Sequence, residues 1–222
     1  MGTKEQSTPG TGWCLVIPVK LLHLAKSRLS SDPAERSALA LAFAADTVAA
    51  ALRTPTVVEV VVVTDDATAA ALVRDLGAEV VADEPDAGLN PALRHGATHA
   101  AARHPGCGIG ALSADLPALR PEDLERALVR ARTAGVAVVP DIEGSGTTAY
   151  LVVDAASFAP AFGKDSLQTH VAAGALTLAA DHDDGDEDLA SLRQDVDTQA
   201  DLAAAVALGV GAHTASALKN AR

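Results

Sequence analysis

The run VVEVVVV at residues 57–63 constrains this chain more than any other stretch. A strand with one wet face alternates apolar and polar residues. A nearly unbroken valine run fits a strand covered on both faces, as in a parallel sheet held between two helical layers. Shorter β-branched runs predict further strands at Leu15–Val19, Glu79–Ala82, Ile109–Leu112, Val136–Val139 and Ala149–Val153. The alanine-rich stretches between them predict helices at Pro33–Leu52, Ala67–Leu76, Pro91–Arg103, Pro121–Thr133 and Gln199–Leu208. The first helix has a clear start, with Asp32 as N-cap, Pro33 in the first turn and Glu35 three residues after the cap. The alternation predicts an α/β fold, a three-layer α/β/α sandwich around a mostly parallel central sheet. Ligands of such sheets bind beyond the carboxyl ends of the strands, so the loops after the strands are where chemistry is to be sought.

At 222 residues the chain suits one domain with short extensions. Residues 1–12 are expected to be a disordered lead-in, 13–212 a single domain and 213–222 a C-terminal tail. The irregular stretch from Phe158 to Ser191 reads as an insertion over the site. Aromatic residues make up 2% of the chain and apolar residues 49%, so the core is built from Val, Leu and Ala. Lys and Arg total 17 against 29 Asp and Glu, a formal charge of −12. So acidic a chain lacks the electrostatic footprint of a nucleic-acid or anionic-membrane binder. No apolar run reaches membrane-spanning length, and the opening MGTKEQSTPGTG has no signal-peptide core. Cys14 and Cys107 make neither a disulfide framework nor a CxxC pair, which points to the cytoplasm and to two small buried hydrophobes.

The loop after the first strand carries Lys20, Lys26 and Arg28, three cations within nine residues. Lys as a point charge and Arg as a fork are what a polyphosphate needs, although a solvated turn has the same composition. There is no GxxxxGK[ST], which excludes a P-loop nucleotidase. After the fourth strand, Ser113-Ala114-Asp115-Leu116-Pro117 places a carboxylate at the strand-end crevice, a hard oxygen ligand suited to Mg²⁺ shared with phosphates. Near the C-terminus stands Asp195-Val196-Asp197-Thr198. With Val196 in a strand, Asp195 and Asp197 would share a face, and Thr198 with Asp201 would cap the next helix. Gly144-Ser145-Gly146-Thr147-Thr148 and Phe162-Gly163-Lys164-Asp165-Ser166 look like a second anion pocket, each segment alone being equally an ordinary turn. Gly106 to Ala111 precedes a strand instead of opening a helix, so it fails as a dinucleotide fingerprint. His95, His99 and His104 read as helix-surface histidines, and the acidic run 181–188 as a solvated loop without EF-hand register.

IPVK…AKSRL, GLNPAL, ADLPAL, GSGTTA, FGKDS…H and DVDTQADL occur in this order between Leu15 and Leu208. Each motif alone is weak; six in order are specific. Together they resemble the guanylyltransferases that make the phospho-acid precursor of the deazaflavin coenzyme F-420. Those enzymes share a nucleotide-diphospho-sugar-transferase-like fold with the molybdopterin guanylyltransferases. The resemblance implies GTP, Mg²⁺ and a phosphorylated three-carbon acid: phosphoenolpyruvate, which the alanine-rich composition favours, or 2-phospho-L-lactate or 3-phosphoglycerate. It implies that Lys20, Lys26 and Arg28 hold the triphosphate and act in catalysis, that Asn90 lines the nucleotide pocket, and that Asp115 and Asp197 hold the metal. It also implies that Thr147 or Thr148, with Gly163 and Ser166, binds the acid. The motif letters favour Thr147, and the spacing to Gly163 favours Thr148. Guanine would meet backbone carbonyls near Asp83–Asn90. The rivals are a cytidylyl or sugar-nucleotide transferase and a non-catalytic GTP-binding regulator; a monomer or a homodimer fits equally.

Overall fold

The computed structural model describes residues 12–20, 29, 31–84, 86–178 and 189–220. The seven strands among them are β1 (Trp13–Pro18), β2 (Val57–Val63), β3 (Glu79–Val81), β4 (Gly108–Leu112), β5 (Val136–Pro140), β6 (Thr147–Val152) and β7 (Leu176–Thr177). They form one sheet in the order β3-β2-β1-β4-β6-β5-β7. β6 alone runs antiparallel to its neighbours, so the sheet is mostly parallel, as expected. The helices are α1 (Pro33–Leu52), α2 (Ala67–Leu76), α3 (Leu89–Arg103), α4 (Pro121–Ala134), α5 (Ser166–Ala172), α6 (Ala190–Arg193), α7 (Gln199–Leu208) and α8 (Ala212–Asn220).

Alternation along β1 divides the core. Trp13, Leu15 and Ile17 pack with α1, α2 and α4, while Cys14 and Val16 pack with α3 on the opposite face. β2 contributes Val60 and Val62 to the first layer and Val61 and Val63 to the second, which is why this strand had to be valine on both faces. With few aromatics, close packing depends on small residues. Gly96 lets α3 lie directly on the sheet: a Cβ there would stand 2.6 Å from Val16 and 2.7 Å from Val63.

Residues 213–222, expected as a tail, depart from that reading. Up to Asn220 they belong to α8, which packs on α1. The buried Asp46 of α1 accepts hydrogen bonds from the His213 amide at 3.0 Å and the Thr214 amide at 2.8 Å, closing the first turn of α8 from 167 residues away. The stretch expected as an insertion contains α5, β7 and α6, and residues 179–188 lie outside the described set, as do residues 1–11 of the lead-in. Asp46→Ala should lower stability by about 1–2 kcal/mol, the usual cost of a lost helix cap. Urea unfolding measures this, and an unchanged midpoint would show that α8 holds without its cap.

Candidate active site

The carboxyl ends of β1, β2 and β4 open into two adjoining cavities. The larger, about 510 Å³, is lined by Pro18, Val19 and Lys20 after β1, Leu89 and Leu93 of α3, Ser113, Ala114 and Asp115 after β4, and Phe162 and Asp197. The smaller, about 250 Å³, shares Pro18, Val19, Lys20 and Leu89 and is completed by Val63, Asp65, Asp83, Asp86, Gly88 and Ala92. Lys20 is exposed where the two meet. Lys20, Asp115 and Asp197, far apart in sequence, therefore border the same cavity. Lys26 and Arg28 lie outside the described residues.

Asp115 is placed by bonds on three sides. Ser113 donates its amide to the Thr148 carbonyl at 2.8 Å, continuing the β4–β6 pairing. The buried Thr47 hydroxyl of α1 accepts the Leu116 amide at 3.1 Å and lies 3.2 Å from the Ala114 carbonyl. The Val196 amide donates to the Asp115 carbonyl at 3.1 Å. That last bond carries Asp197 to the cavity. Residues 194–196 are not a strand; they form a ledge with Val196 buried against α1, α7 and Ala118. The capping box of α7 then fixes the Asp197 backbone: the Asp201 carboxylate accepts the Asp197 amide at 3.1 Å and the Thr198 amide at 2.7 Å.

Asn90 opens α3, but both ends of its amide are taken by the Phe162 backbone, its Nδ2 donating at 2.9 Å and its Oδ1 accepting at 2.8 Å. It clamps the Phe162–Ser166 loop over the larger cavity. The next residue, Gly163, has φ +133, a conformation that side chains rarely adopt. Beyond it, Ser166 donates its hydroxyl to Thr147 Oγ1 at 3.0 Å, and His170 Nδ1 lies 3.1 Å from the same oxygen. The Ala161 amide donates to His170 Nε2 at 2.9 Å, which makes Nε2 an acceptor and puts the ring proton on Nδ1. The ring stacks on Tyr150 at 4.5 Å and meets the edge of Phe162 at 5.5 Å. Burial holds the His170 pKa below its usual value, against a smaller opposing effect from the Ser166 carbonyl.

The two threonines part company at a register slip, where Pro140 pairs with Thr147 while Val139 pairs with Ala149. Thr147 joins Ser166 and His170. Thr148 pairs through its carbonyl with the Ser113 amide, and its buried hydroxyl makes a 3.4 Å contact to the Val139 carbonyl. In the glycine turn before them the Asp141 carboxylate already takes the Ser145 amide at 2.9 Å and the Gly146 amide at 2.7 Å, so the anion that turn binds is internal. Sequence reasoning gave no role to Asp83, whose Oδ1 is buried without a hydrogen-bond partner beside the smaller cavity. Nor did it give one to His170, although that residue ends the FGKDS…H motif.

A family model described as guanylyl transferase CofC like matches residues 13–222. The chain belongs to this family. It is 56% identical over 205 residues to the phosphoenolpyruvate guanylyltransferase of Thermomonospora curvata, covering 92% of this chain and 87% of that one. It is 53% identical over 206 residues to the enzyme of the same name from Streptomyces coelicolor, covering 92% and 94%. Among solved structures it is similar in fold to a nucleotidyl transferase from Methanothermobacter, at 20% identity and TM-score 0.60 over 90% of this chain and 98% of that one. It is also similar in fold to Rv0371c of Mycobacterium tuberculosis in complex with manganese, at 21% identity and TM-score 0.53 over 89% and 98%. This member of the family is thus a nucleotidyltransferase on a nucleotide-diphospho-sugar-transferase-like fold, as the motifs implied. Among the described residues no helix is long and apolar enough to cross a membrane.

The buried imidazole sets a pH dependence. Below about pH 6.5 an unfolded histidine takes up a proton that folded His170 resists, so acidification favours unfolding. Relative to His170→Gln, the native chain should lose up to about 1.4 kcal/mol of stability per pH unit as pH falls from 6.5 until the folded ring itself protonates. Parallel unfolding curves for the two proteins at pH 7 and pH 5 without a growing difference would contradict the neutral buried ring.

Proposed function

We propose that this chain joins phosphoenolpyruvate to the α-phosphorus of GTP, giving enolpyruvoyl-2-diphospho-5′-guanosine and pyrophosphate, a step towards coenzyme F-420. The observation that carries the reading is the meeting of Lys20, Asp115 and Asp197 on one cavity of about 510 Å³ at the strand ends, in a chain whose relatives bear that enzyme's name. The smaller cavity takes the base. Guanine presents N1–H and an exocyclic amine as donors, and the unpartnered Asp83 Oδ1 offers a carboxylate acceptor there beside the backbone carbonyls of the Asp83–Asn90 stretch. The triphosphate then passes Lys20 at the junction towards Asp115 and Asp197. Lys20, with Lys26 and Arg28, stabilises the departing pyrophosphate.

Two hard-oxygen carboxylates bordering one cavity fit a divalent cation such as Mg²⁺, and a neighbour of the same fold is a manganese complex. When bound, the cation supplies neutralisation of phosphate charge. The attacking phosphate oxygen of the acid is already ionised at neutral pH, so the chain needs no general base. Its task is to bring two polyanions together, and positioning of this kind is worth roughly 7–11 kcal/mol of a barrier. The acid lies under Phe162, between Gly163, Ser166 and Thr148. Thr148 has the freer hydroxyl and pairs through its backbone with Ser113 of the cavity lining, so it is assigned to the acid, whereas Thr147 holds Ser166 in place. Asn90 acts through the Phe162 backbone it clamps. Two buried free thiols suit a reducing compartment such as the cytoplasm.

Incubation with Mg²⁺, each of GTP, ATP and CTP, and each of phosphoenolpyruvate, 2-phospholactate and 3-phosphoglycerate, followed by mass spectrometry, tests the reading. The GTP–phosphoenolpyruvate adduct should dominate; a different adduct, or thermal stabilisation by GTP with no product, would overturn it. Thr148→Val should raise KM for the acid about tenfold and leave KM for GTP near its original value, matching the loss of one charge-assisted hydrogen bond. Equal effects on both substrates in steady-state kinetics would remove Thr148 from the acid pocket.

A further inference from the structure

At the opposite end of the sheet, where β1 and β4 begin, a second group of side chains converges that the nucleotidyl transfer does not use. Cys14 Sγ, a Glu59 carboxylate oxygen and a His104 ring nitrogen all lie within 4.8 Å of one another. His104 Nε2 is 3.4 Å from Glu59 Oε1. The thiol of Cys107 neighbours that of Cys14. His104 and Cys107 are brought to the same end by the turn His104-Pro105-Gly106-Cys107, closed by the Cys107 amide donating to the His104 carbonyl at 3.2 Å, with Gly106 at φ +86.

Glu59 shows that the group is electrostatically incomplete. Its side chain is only 10% exposed, and Arg103 Nε donates to Oε1 at 2.8 Å. Oε2 is buried with no hydrogen-bond partner. A buried carboxylate oxygen left unpaired costs free energy that folded proteins rarely leave uncompensated. Arg103 approaches from the solvent side, half exposed, and the neighbouring His99–Glu79 pair at 3.4 Å stands apart from the thiols, so no described cation covers Oε2.

We propose that Cys14, Glu59 and His104, with the neighbouring Cys107 as fourth donor, form a binding site for Zn²⁺ or a similar borderline-soft divalent cation. Two sulfurs, an imidazole and a carboxylate are the donor types such ions take in tetrahedral sites. Tetrahedral coordination at about 2.0–2.3 Å spaces the donors about 3.3–3.8 Å apart, so Cys14, Glu59 and His104 need to contract by at most about 1 Å, with Cys107 turning in from beside Cys14. Loading displaces the thiol protons to solvent, with no change of oxidation state. The bound cation would tie β1, β2, β4 and the end of α3 together at the pole opposite the nucleotide cavities, a structural and not a catalytic metal.

The test is titration of the chelator-stripped full-length protein with Co²⁺, followed by Zn²⁺. One equivalent of Co²⁺ should produce a thiolate-to-cobalt charge-transfer band with the visible bands of tetrahedral cobalt, and Zn²⁺ should abolish both. Cys14→Ser should remove most of the charge-transfer intensity, and His104→Ala should weaken cobalt affinity at least tenfold. His104 is partly exposed, so its variant carries the test even if Cys14→Ser does not fold. Asp115→Asn/Asp197→Asn should leave the band unchanged, which separates this site from the carboxylate pair. Absence of the band in the native protein, recovery of a Cys14–Cys107 disulfide in its place, or full cobalt affinity in His104→Ala would each overturn the proposal.

Discussion

One backbone hydrogen bond joins the two halves of the proposed site: the Val196 amide to the Asp115 carbonyl at 3.1 Å. Asp115 reaches the cavity because β4 ends at Leu112 and Thr47 of α1 holds the following loop. Asp197 has no strand to carry it. It is delivered by the ledge that this bond fastens to the Asp115 loop, by Val196 buried in the core, and by the α7 capping box that fixes its backbone. The capping box and the metal reading are thus not rivals. The cap supplies the rigidity with which the carboxylate is presented.

The second constraint is charge. With a formal charge of −12 the chain as a whole repels its own substrates. It answers locally, by setting Lys20 where the two cavities meet and by using up internal anions. Asp141 satisfies the amides of the glycine turn, Asp46 caps α8, and Asp201 holds Asp197 and Thr198. In the region proposed for the second anion, two hydroxyls meet a buried histidine.

What could be read in the sequence was what is encoded locally. The valine run of β2 and the Asp32–Pro33 start of α1 predict those elements because strand burial and helix capping are written within a few residues. Lys20 and Asp115 follow β1 and β4 closely enough for their strands to point to them, whereas Asp197 stood out only through its motif, because the ledge that carries it to the cavity is not a strand. What stayed hidden depends on distant partners. α8 looked like a tail because its capping carboxylate is 167 residues away. α5 and β7 are short, and the two-residue β7 exists through its pairing with β5. The amide of Asn90 could not be assigned to Phe162, 72 residues on, from spacing alone. The threonine ambiguity needed the register slip opposite Pro140, and neither cysteine showed by its spacing that it would meet Glu59 and His104.

The central claim is that Asp115 and Asp197 act as one metal-binding unit beside the nucleotide. Manganese binding followed by electron paramagnetic resonance in the presence of GTP measures this directly, on the native protein, Asp115→Asn, Asp197→Asn and the double variant. If both carboxylates serve one ion, each single variant weakens binding nearly as much as the double, because the ligands act together. Losses that simply add across the two variants, or nucleotide-bound manganese unchanged in both, would contradict a shared site.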